Sequence, residues 1–297
     1  MRHDERIFAL GFFDGVHLGH QALLTACRSL AEGLGLEAGV VTFGNHPDML
    51  VHGKQPGLIN TLADRERLLK NTFGMDAVVT LPFDREMMAM PWEGFIRFLI
   101  KNHDAAGFVC GDDFRFGHRG LGNGEKLRTL CAELDLPCRL VPQQTLDGLR
   151  VSSSHIRTLI EEGRMGEAVR FLGHPHILTG TVVPGKQLGR TLGIPTANLR
   201  LPQELAVPKF GVYACRCRIG EETYGAVANI GTRPTVEGQG ITIEPWILDF
   251  SGDLYRQEIT LEFLEFLRPE VKFPTLEALR EEIQHNARQT REILKAL

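Results

Sequence analysis

At 297 residues the chain exceeds one ordinary core and fits two domains of roughly 100–200 residues each. Hydrophobic residues make up 43% and charged residues 24%, the balance of a soluble globular protein. A formal net charge of -4 argues against a nucleic-acid binder, whose surface must be basic to displace counterions, yet leaves room for a local basic pocket.

Residues 1–6 are charged and run directly into a short apolar stretch at 7–10, without the apolar core of a signal peptide. No segment approaches the ~20 apolar residues of a membrane span, so a cytoplasmic protein with no membrane partner is expected. The first half alternates apolar runs (7–10, 38–43, 77–81, 107–110, 138–141) with helical patterns (21–34, 62–73, 92–102, 124–133). Strand and helix repeated in this way predict a parallel sheet covered on both faces, with ligands beyond the carboxyl ends of its strands. From about residue 177 the pattern changes. Strands at 177–183, 211–219, 222–230, 241–250 and 258–267 follow one another without helices, as in a small antiparallel barrel. A last helix carries Leu276, Leu279, Ile283, Leu294 and Leu297 as one apolar stripe. The segment FLGHPH at 171–176 is the expected boundary, which gives domains 1–172 and 173–297.

The six cysteines (Cys27, Cys110, Cys131, Cys138, Cys215, Cys217) form no C-x-x-C pair, so a zinc ribbon or thioredoxin-type site is not expected. Cys215 and Cys217, two apart on one strand, share a face and read as packing residues.

The densest chemistry is LGFFDGVHLGH at 10–20, directly after the first strand. Gly11 and Gly15 permit tight turns and close approach of a ligand to the backbone. His17 and His20, three apart at a helix start, fall on one face beside free backbone N–H groups, where phosphate is attracted. Imidazoles there can donate to a nucleotide triphosphate and to charge growing at its α-phosphorus. The segment resembles the H-x-G-H signature of the nucleotidyltransferase superfamily. VTFGNHP at 41–47, GDDFRFG at 111–117 and VSSSHIR at 151–157 resemble further motifs of one branch, the FAD-synthesising module of the bacterial bifunctional riboflavin kinase/FAD synthetase family. That resemblance implies a Rossmann-like α/β nucleotidyltransferase domain. It implies that His17, His20, Ser153, Ser154 and Arg157 handle ATP phosphates and that Gly11, Phe13, Asp14 and Gly15 border the nucleotide. It further implies that Asp113 helps to place FMN and the metal, with His46, Pro47, Phe114 and Phe116 against the flavin. Phe12 stands where asparagine is frequent in the family, and Asn45 where proline is frequent.

GTVVPGK at 180–186 imitates a phosphate-binding P-loop, but Gln187 follows where Ser or Thr is required and Pro184 denies it a helix to open. GKQLGRTLGIPTAN at 185–198 is the better unit. Three glycines at four-residue spacing make a pliable loop over phosphates, and Thr196 and Asn198, two apart on an extended segment, present oxygens suited to magnesium. The unit resembles the riboflavin kinase signature G-R-x-L-G-F-P-T-A-N. The resemblance implies that Gly185, Lys186, Gly189, Arg190, Gly193, Thr196 and Asn198 bind the nucleotide, with Thr196 and Asn198 also on the metal. Glu244, flanked by apolar residues, reads on its own as an ordinary solvent-facing glutamate or as a carboxylate able to accept the proton of a primary alcohol. The resemblance implies the second, since it matches the family's catalytic glutamate, and Arg268 matches a position bordering the flavin.

Three departures stand out around the second site: Pro245, expected to interrupt the ladder and bend the strand; Trp246 for a common histidine; and Arg256 for a glycine. The chain is thus expected to phosphorylate riboflavin to FMN and adenylylate FMN to FAD, with ATP as co-substrate and Mg2+ as metal. A weakened kinase, a non-catalytic flavin carrier and a transferase acting on another phosphate ester are the alternatives. The residues carry no signal for downstream flavoproteins.

Overall fold

A computed structural model describes residues 5–54, 56–185, 193–200, 202–235 and 238–296, the side chains of 233–235 and 238–239 excepted. Two compact units emerge: Met1–Pro56 with Arg65–Ser153, and Gly57–Asp64 with Ser154–Leu297.

In the first unit, β1 (Arg6–Leu10), β2 (Glu37–Phe43), β3 (Ala77–Leu81), β4 (Ala105–Gly111) and β7 (Cys138–Val141) form a parallel sheet in the order β3-β2-β1-β4-β7. The short hairpins β5–β6 (Arg115–Phe116, Gly122–Asn123) and β8–β9 (Thr145–Leu146, Leu149–Arg150) decorate it. Ile7, Phe8, Ala9 and Leu10 are all buried, because the central strand of a sheet covered on both faces has no solvent side. Helix α1 (Leu18–Leu34) crosses from β1 to β2, burying Leu23, Leu24, Ala26, Cys27 and Ala31, and stops at Gly35 with φ 68°. Strand order reverses between β1 and β4, so the crevice beyond their carboxyl ends is the ligand position expected of this topology. The loops leaving those two strands are the two motif loops, 11–17 and 112–117.

Among the described residues the remaining α-helices are α2 (Pro47–His52), α3 (Leu62–Arg67), α4 (Arg85–Ala89), α5 (Trp92–His103), α6 (Gly124–Glu133), α7 (Ser153–Glu162), α8 (Met165–Leu172) and α9 (Leu276–Lys295). The helix expected over 62–73 is α-helical only to Arg67; Leu68–Thr72 widens to a π-turn.

The second unit carries β10 (His176–Thr181), β11 (Leu199–Arg200), β12 (Gly211–Ile219), β13 (Glu222–Thr235), β14 (Gly238–Ile247) and β15 (Glu258–Arg268), ordered β10-β15-β12-β13-β14-β11. The pairings are antiparallel, and the Val183 N–H donates to the Asn198 carbonyl at 2.8 Å, which nearly closes the sheet into a barrel. Cys215 and Cys217 are both buried on the inner face, as expected, and burial pushes the Cys217 thiol up to about 12.

Two expectations are corrected. Pro245 does not break β14, which keeps unbroken register with β13 from Gly238 to Ile247. A strand residue's N–H and C=O point to the same side. The Pro245 carbonyl accepts from the Ala197 N–H at 2.9 Å, so the missing N–H faces that loop and not β13. The apolar stripe of α9 does not bury along its length: Leu276 is 63% exposed, the most buried residues are Asn286, Ala287 and Thr290, and Leu297 lies outside the described residues. Arg256 does adopt the left-handed conformation expected of a glycine substitute, at φ 66°.

Candidate functional sites

The turn after β1 is built under strain. Phe13 and Val16 sit at φ 59° and 40°, conformations a β-branched residue rarely adopts, beside Gly15 at φ 81°. Such strain costs of order 1–3 kcal/mol per residue and persists only where the surroundings over-determine it. Here His17 caps α1, its Nδ1 accepting the His20 N–H at 3.3 Å, which leaves the ring proton on Nε2 as a donor. The His17 and His20 rings stack at 3.7 Å, with His20 also 5.0 Å from the Phe13 ring. The glycine of H-x-G-H has a local reason: a Cβ on Gly19 would stand 3.2 Å from the His17 ring. Burial, then the adjacent His17, then Arg65, hold His20 well below the ordinary histidine range, so at neutral pH it is an uncharged imidazole.

Asp14 and His17 are buried, and the Ser153 hydroxyl donates to the Asp14 carbonyl at 2.9 Å, tying the start of α7 to this turn. Ser154 is exposed and Arg157 half-buried on the same helix, which continues into the second unit. Asp113 does not stand alone in its loop; it forms an ion pair with Arg150.

Beyond β1 and β4 opens a cavity of about 700 Å³ lined by Phe12, Phe43, Phe83, Phe95, Phe114 and Phe116 together with Pro47, Val51 and Met87. Phe114 and Phe116 lie nearly parallel at 5.5 Å, and Phe12 meets His46 edge-on at 4.8 Å. His46 caps α2 through Nδ1, accepting from Asp48 N–H at 3.1 Å. Phe83 and Phe95 escaped the sequence reading, because they come from segments with no motif. The only signal was compositional: 17 phenylalanines against 3 tyrosines. Asn45 also has a role that its sequence did not suggest. Its amide donates to the Phe83 carbonyl at 2.8 Å and accepts from the Phe83 N–H at 3.0 Å, fixing one cavity wall.

In the barrel, Glu244 on β14 pairs with Asn229 on β13 and lines a cavity of about 230 Å³ with Thr196, Trp246, Arg268, Glu270 and Phe273. Glu244 and Trp246, two apart, share that face, so Trp246 forms part of the wall beside the carboxylate. The Arg268 Nε donates to Asn286 at 3.0 Å and pairs with Glu282 at 3.1 Å, the guanidinium lying 5.4 Å from the Phe273 ring. A second cavity, about 400 Å³, is lined by Val182, Pro195, Ala197, Ile247 and residues 250–255. Thr196 lines both cavities. Asn198 is buried, and Gly185 lies so close that a Cβ there would fall 2.3 Å from the Asn198 Nδ2. Gly193 sits at φ 70°. Lys186, Gly189 and Arg190 lie outside the described residues. No cluster of three or more His, Cys, Asp or Glu side chains gathers for a metal among the described residues. Nor is any helix among them long and apolar enough to cross a membrane.

Comparison with known proteins agrees with this two-site layout. The FAD synthetase family model matches residues 1–155 and the riboflavin kinase model residues 172–294. A bifunctional riboflavin kinase/FMN adenylyltransferase of Listeria monocytogenes is 35% identical over 293 residues, covering 96% of this chain and 91% of its own. That of Escherichia coli K12 is 35% identical over 291 residues, covering 96% and 92%. A crystal structure described as a macrolide-efflux protein from Streptococcus pneumoniae superposes with a TM-score of 0.87 at 31% identity, covering 97% of this chain and 94% of that one. The chain belongs to the bifunctional riboflavin kinase/FMN adenylyltransferase family.

Proposed function

We propose that the chain makes FAD in two ATP-dependent steps, adenylylation at the β1–α1 turn and phosphorylation at the barrel. It is a riboflavin kinase and an FMN adenylyltransferase of flavin cofactor biosynthesis. The functional boundary is taken at 172/173, with the adenylyltransferase before it. The observation that carries the site assignment is the pairing of each phosphate-handling group with a cavity of flavin-like character. The stacked histidines belong to the same turn as Phe12, which lines the phenylalanine chamber, and Glu244 shares a wall with Thr196, Trp246 and Arg268.

In the kinase step the Glu244 carboxylate accepts the proton of the riboflavin 5′-hydroxyl as that oxygen attacks the γ-phosphorus and ADP leaves. Thr196, lining both barrel cavities, stands where alcohol and phosphates meet. In the adenylylation step an FMN phosphate oxygen attacks the α-phosphorus and pyrophosphate leaves. The His17 Nε2–H and the free N–H groups of α1 donate to the charge that develops there. Neither step needs a covalent enzyme intermediate, so positioning and charge stabilisation supply the catalysis.

Magnesium fits the barrel site. Mg2+ keeps waters and phosphate oxygens as ligands, so the Thr196 hydroxyl and Asn198 amide oxygen suffice as a protein contribution. A Cβ at Gly185 would collide with the Asn198 amide, so only a glycine there leaves that group its place. When bound, the ion would neutralise charge on the transferring phosphates. The test is to incubate the protein with riboflavin, ATP and Mg2+ and separate the flavins chromatographically. FMN should appear first and FAD after it; riboflavin left unconverted would overturn the assignment.

A further inference from the structure

Arg65 lies in the last turn of α3 with a charged side chain and no solvent: its relative exposure is 0%. Burying a guanidinium costs several kcal/mol unless it is paired and hydrogen-bonded, so a fully buried one has a local purpose. Its planar fork reaches two backbone carbonyls, that of Phe12 at 3.0 Å and that of Phe43 at 2.6 Å. Phe12 lies in the loop leaving β1 and Phe43 ends β2, so one side chain ties together the two segments that carry the histidine turn and the His46-Pro47 turn. The Thr42 hydroxyl donates to the same Phe12 carbonyl at 2.8 Å, fixing it from a second side. The guanidinium Cζ lies over the Phe12 ring, 4.4 Å from its centre, and that ring is part of the large cavity wall. Arg65 Nε has no hydrogen-bond partner, and neither does Nδ1 of His20. The fork is therefore spent on the backbone, and its charge is left to act on its surroundings.

We infer that Arg65 is a positioning residue for FMN adenylylation: it locks the Phe12 and Phe43 carbonyls in register and places a fixed positive charge beside the histidine pair. This rests on assigning that pair to adenylyl transfer. The groups that bear electrostatically on His20 are His17 of its own cap and Arg65 of α3, while Asp14 of the turn and Glu66 of α3 bear on Arg65. Burial lowers the guanidinium itself only to about 10, so it stays charged throughout the working range. A permanent cation there resists protonation of His20 and keeps the pair able to accept an incoming polyanion without an intervening proton equilibrium.

The charge and the fork separate experimentally. Arg65→Met removes both; Arg65→Lys keeps a cation but, as a point charge, cannot span the two carbonyls. Both variants are to be compared with the wild-type full chain in three ways. The first is the KM values for ATP and FMN in adenylylation, the second the acid limb of kcat/KM against pH. The third is a histidine Cε1–H titration by NMR that follows His20, with circular dichroism melts reporting the fold. Arg65→Lys should raise the KM values several-fold and leave the His20 titration in place. Arg65→Met should raise them at least as much and move the titration and the acid limb upward by roughly half to one pH unit. A folded Arg65→Met with wild-type KM values and titration overturns the inference. So does a titration that shifts while adenylylation kinetics stay still, which would make Arg65 structural only. Should Arg65→Met not fold, wild-type KM values in Arg65→Lys overturn it alone. Failure of the underlying assignment has a different signature: FAD synthesis would survive His17→Ala/His20→Ala.

Discussion

Replacing Gly185 with alanine adds one methyl group where the barrel site has no space for it. The new Cβ would fall 2.3 Å from Nδ2, 2.5 Å from Cγ and 2.6 Å from Oδ1 of Asn198, all well inside van der Waals contact. Gly185 does not use a left-handed backbone, so alanine is conformationally permitted and the clash is the whole perturbation. Asn198 is buried, and its carbonyl fastens the barrel edges through the Val183 N–H at 2.8 Å, so the backbone cannot withdraw cheaply. The side chain must turn instead, taking its oxygen away from the proposed magnesium position. Loss of that ligand, taken as equal to one hydrogen bond to a charged partner, is worth about 1.5–3 kcal/mol, which is roughly 10- to 150-fold in rate. We expect Gly185→Ala to lower kcat/KM for riboflavin phosphorylation by that factor, with the burden on the ATP and Mg2+ dependence. Adenylylation of supplied FMN should stay near wild type. Steady-state kinetics of each half-reaction, with ATP varied at fixed Mg2+ and then the reverse, measure this. A Gly185→Ala enzyme that phosphorylates riboflavin normally would show that the Asn198 amide does not serve the phosphates.

His17→Ala/His20→Ala should convert riboflavin to FMN and stop there, because both rings belong to the turn of the first unit; continued FAD formation, read by chromatography, refutes the site. Glu244→Gln keeps shape but takes no proton at neutral pH, so riboflavin phosphorylation should fall roughly 10²–10⁴-fold, about 3–5 kcal/mol of barrier, with riboflavin affinity little changed. Activity within a few-fold of wild type would mean that Glu244 is not the base. Arg256→Gly should stabilise slightly. Left-handed backbone costs a non-glycine residue about 1–2 kcal/mol, and the flexibility that glycine adds to the unfolded chain returns about 0.5–1 of it. A thermal melt that moves downward would refute the strain.

The architecture was legible because both halves obey simple periodicities. Continuous apolar runs such as 7–10, alternating with helical patterns, fit the core strands of a covered parallel sheet, and strands that follow one another across short turns favour antiparallel pairing. What periodicity misses is where an element ends: β13 runs on to Thr235 and β14 stops at Ile247, because pairing partners and not residue type set those limits. The reactive groups were legible for a different reason, since turn chemistry clusters in sequence: His17, His20 and Gly19 lie within four positions. Arg65 was not legible. In the stretch LADRERLL its guanidinium looks like one more charge on a solvated helix face, and only tertiary structure shows it buried. The cavity phenylalanines were half legible: Phe114 and Phe116 stand in a motif, while Phe83 and Phe95 reach the same chamber from unrelated segments.

The departures around Glu244 now sort by which backbone or side-chain function they touch. Pro245 removes an N–H on the side of β14 that meets the Thr196–Asn198 loop, where only the carbonyl of that residue is in use. A proline elsewhere in β14, one residue either way, would have deleted a ladder donor toward β13 and shifted the carboxylate. Trp246 pairs through its backbone with Thr196, and both line the same cavity, so its ring adds wall there beside the hydroxyl proposed to handle phosphate. Arg256 accepts backbone strain at an exposed turn, and its N–H still donates to the Val182 carbonyl at 3.1 Å, so the turn keeps its anchor. None of the three removes a group proposed to transfer a proton or meet a phosphate. That distribution favours a working kinase over a non-catalytic carrier, since a carrier has no use for groups suited to a proton or a phosphate, and Glu244, Thr196 and Asn198 are all present.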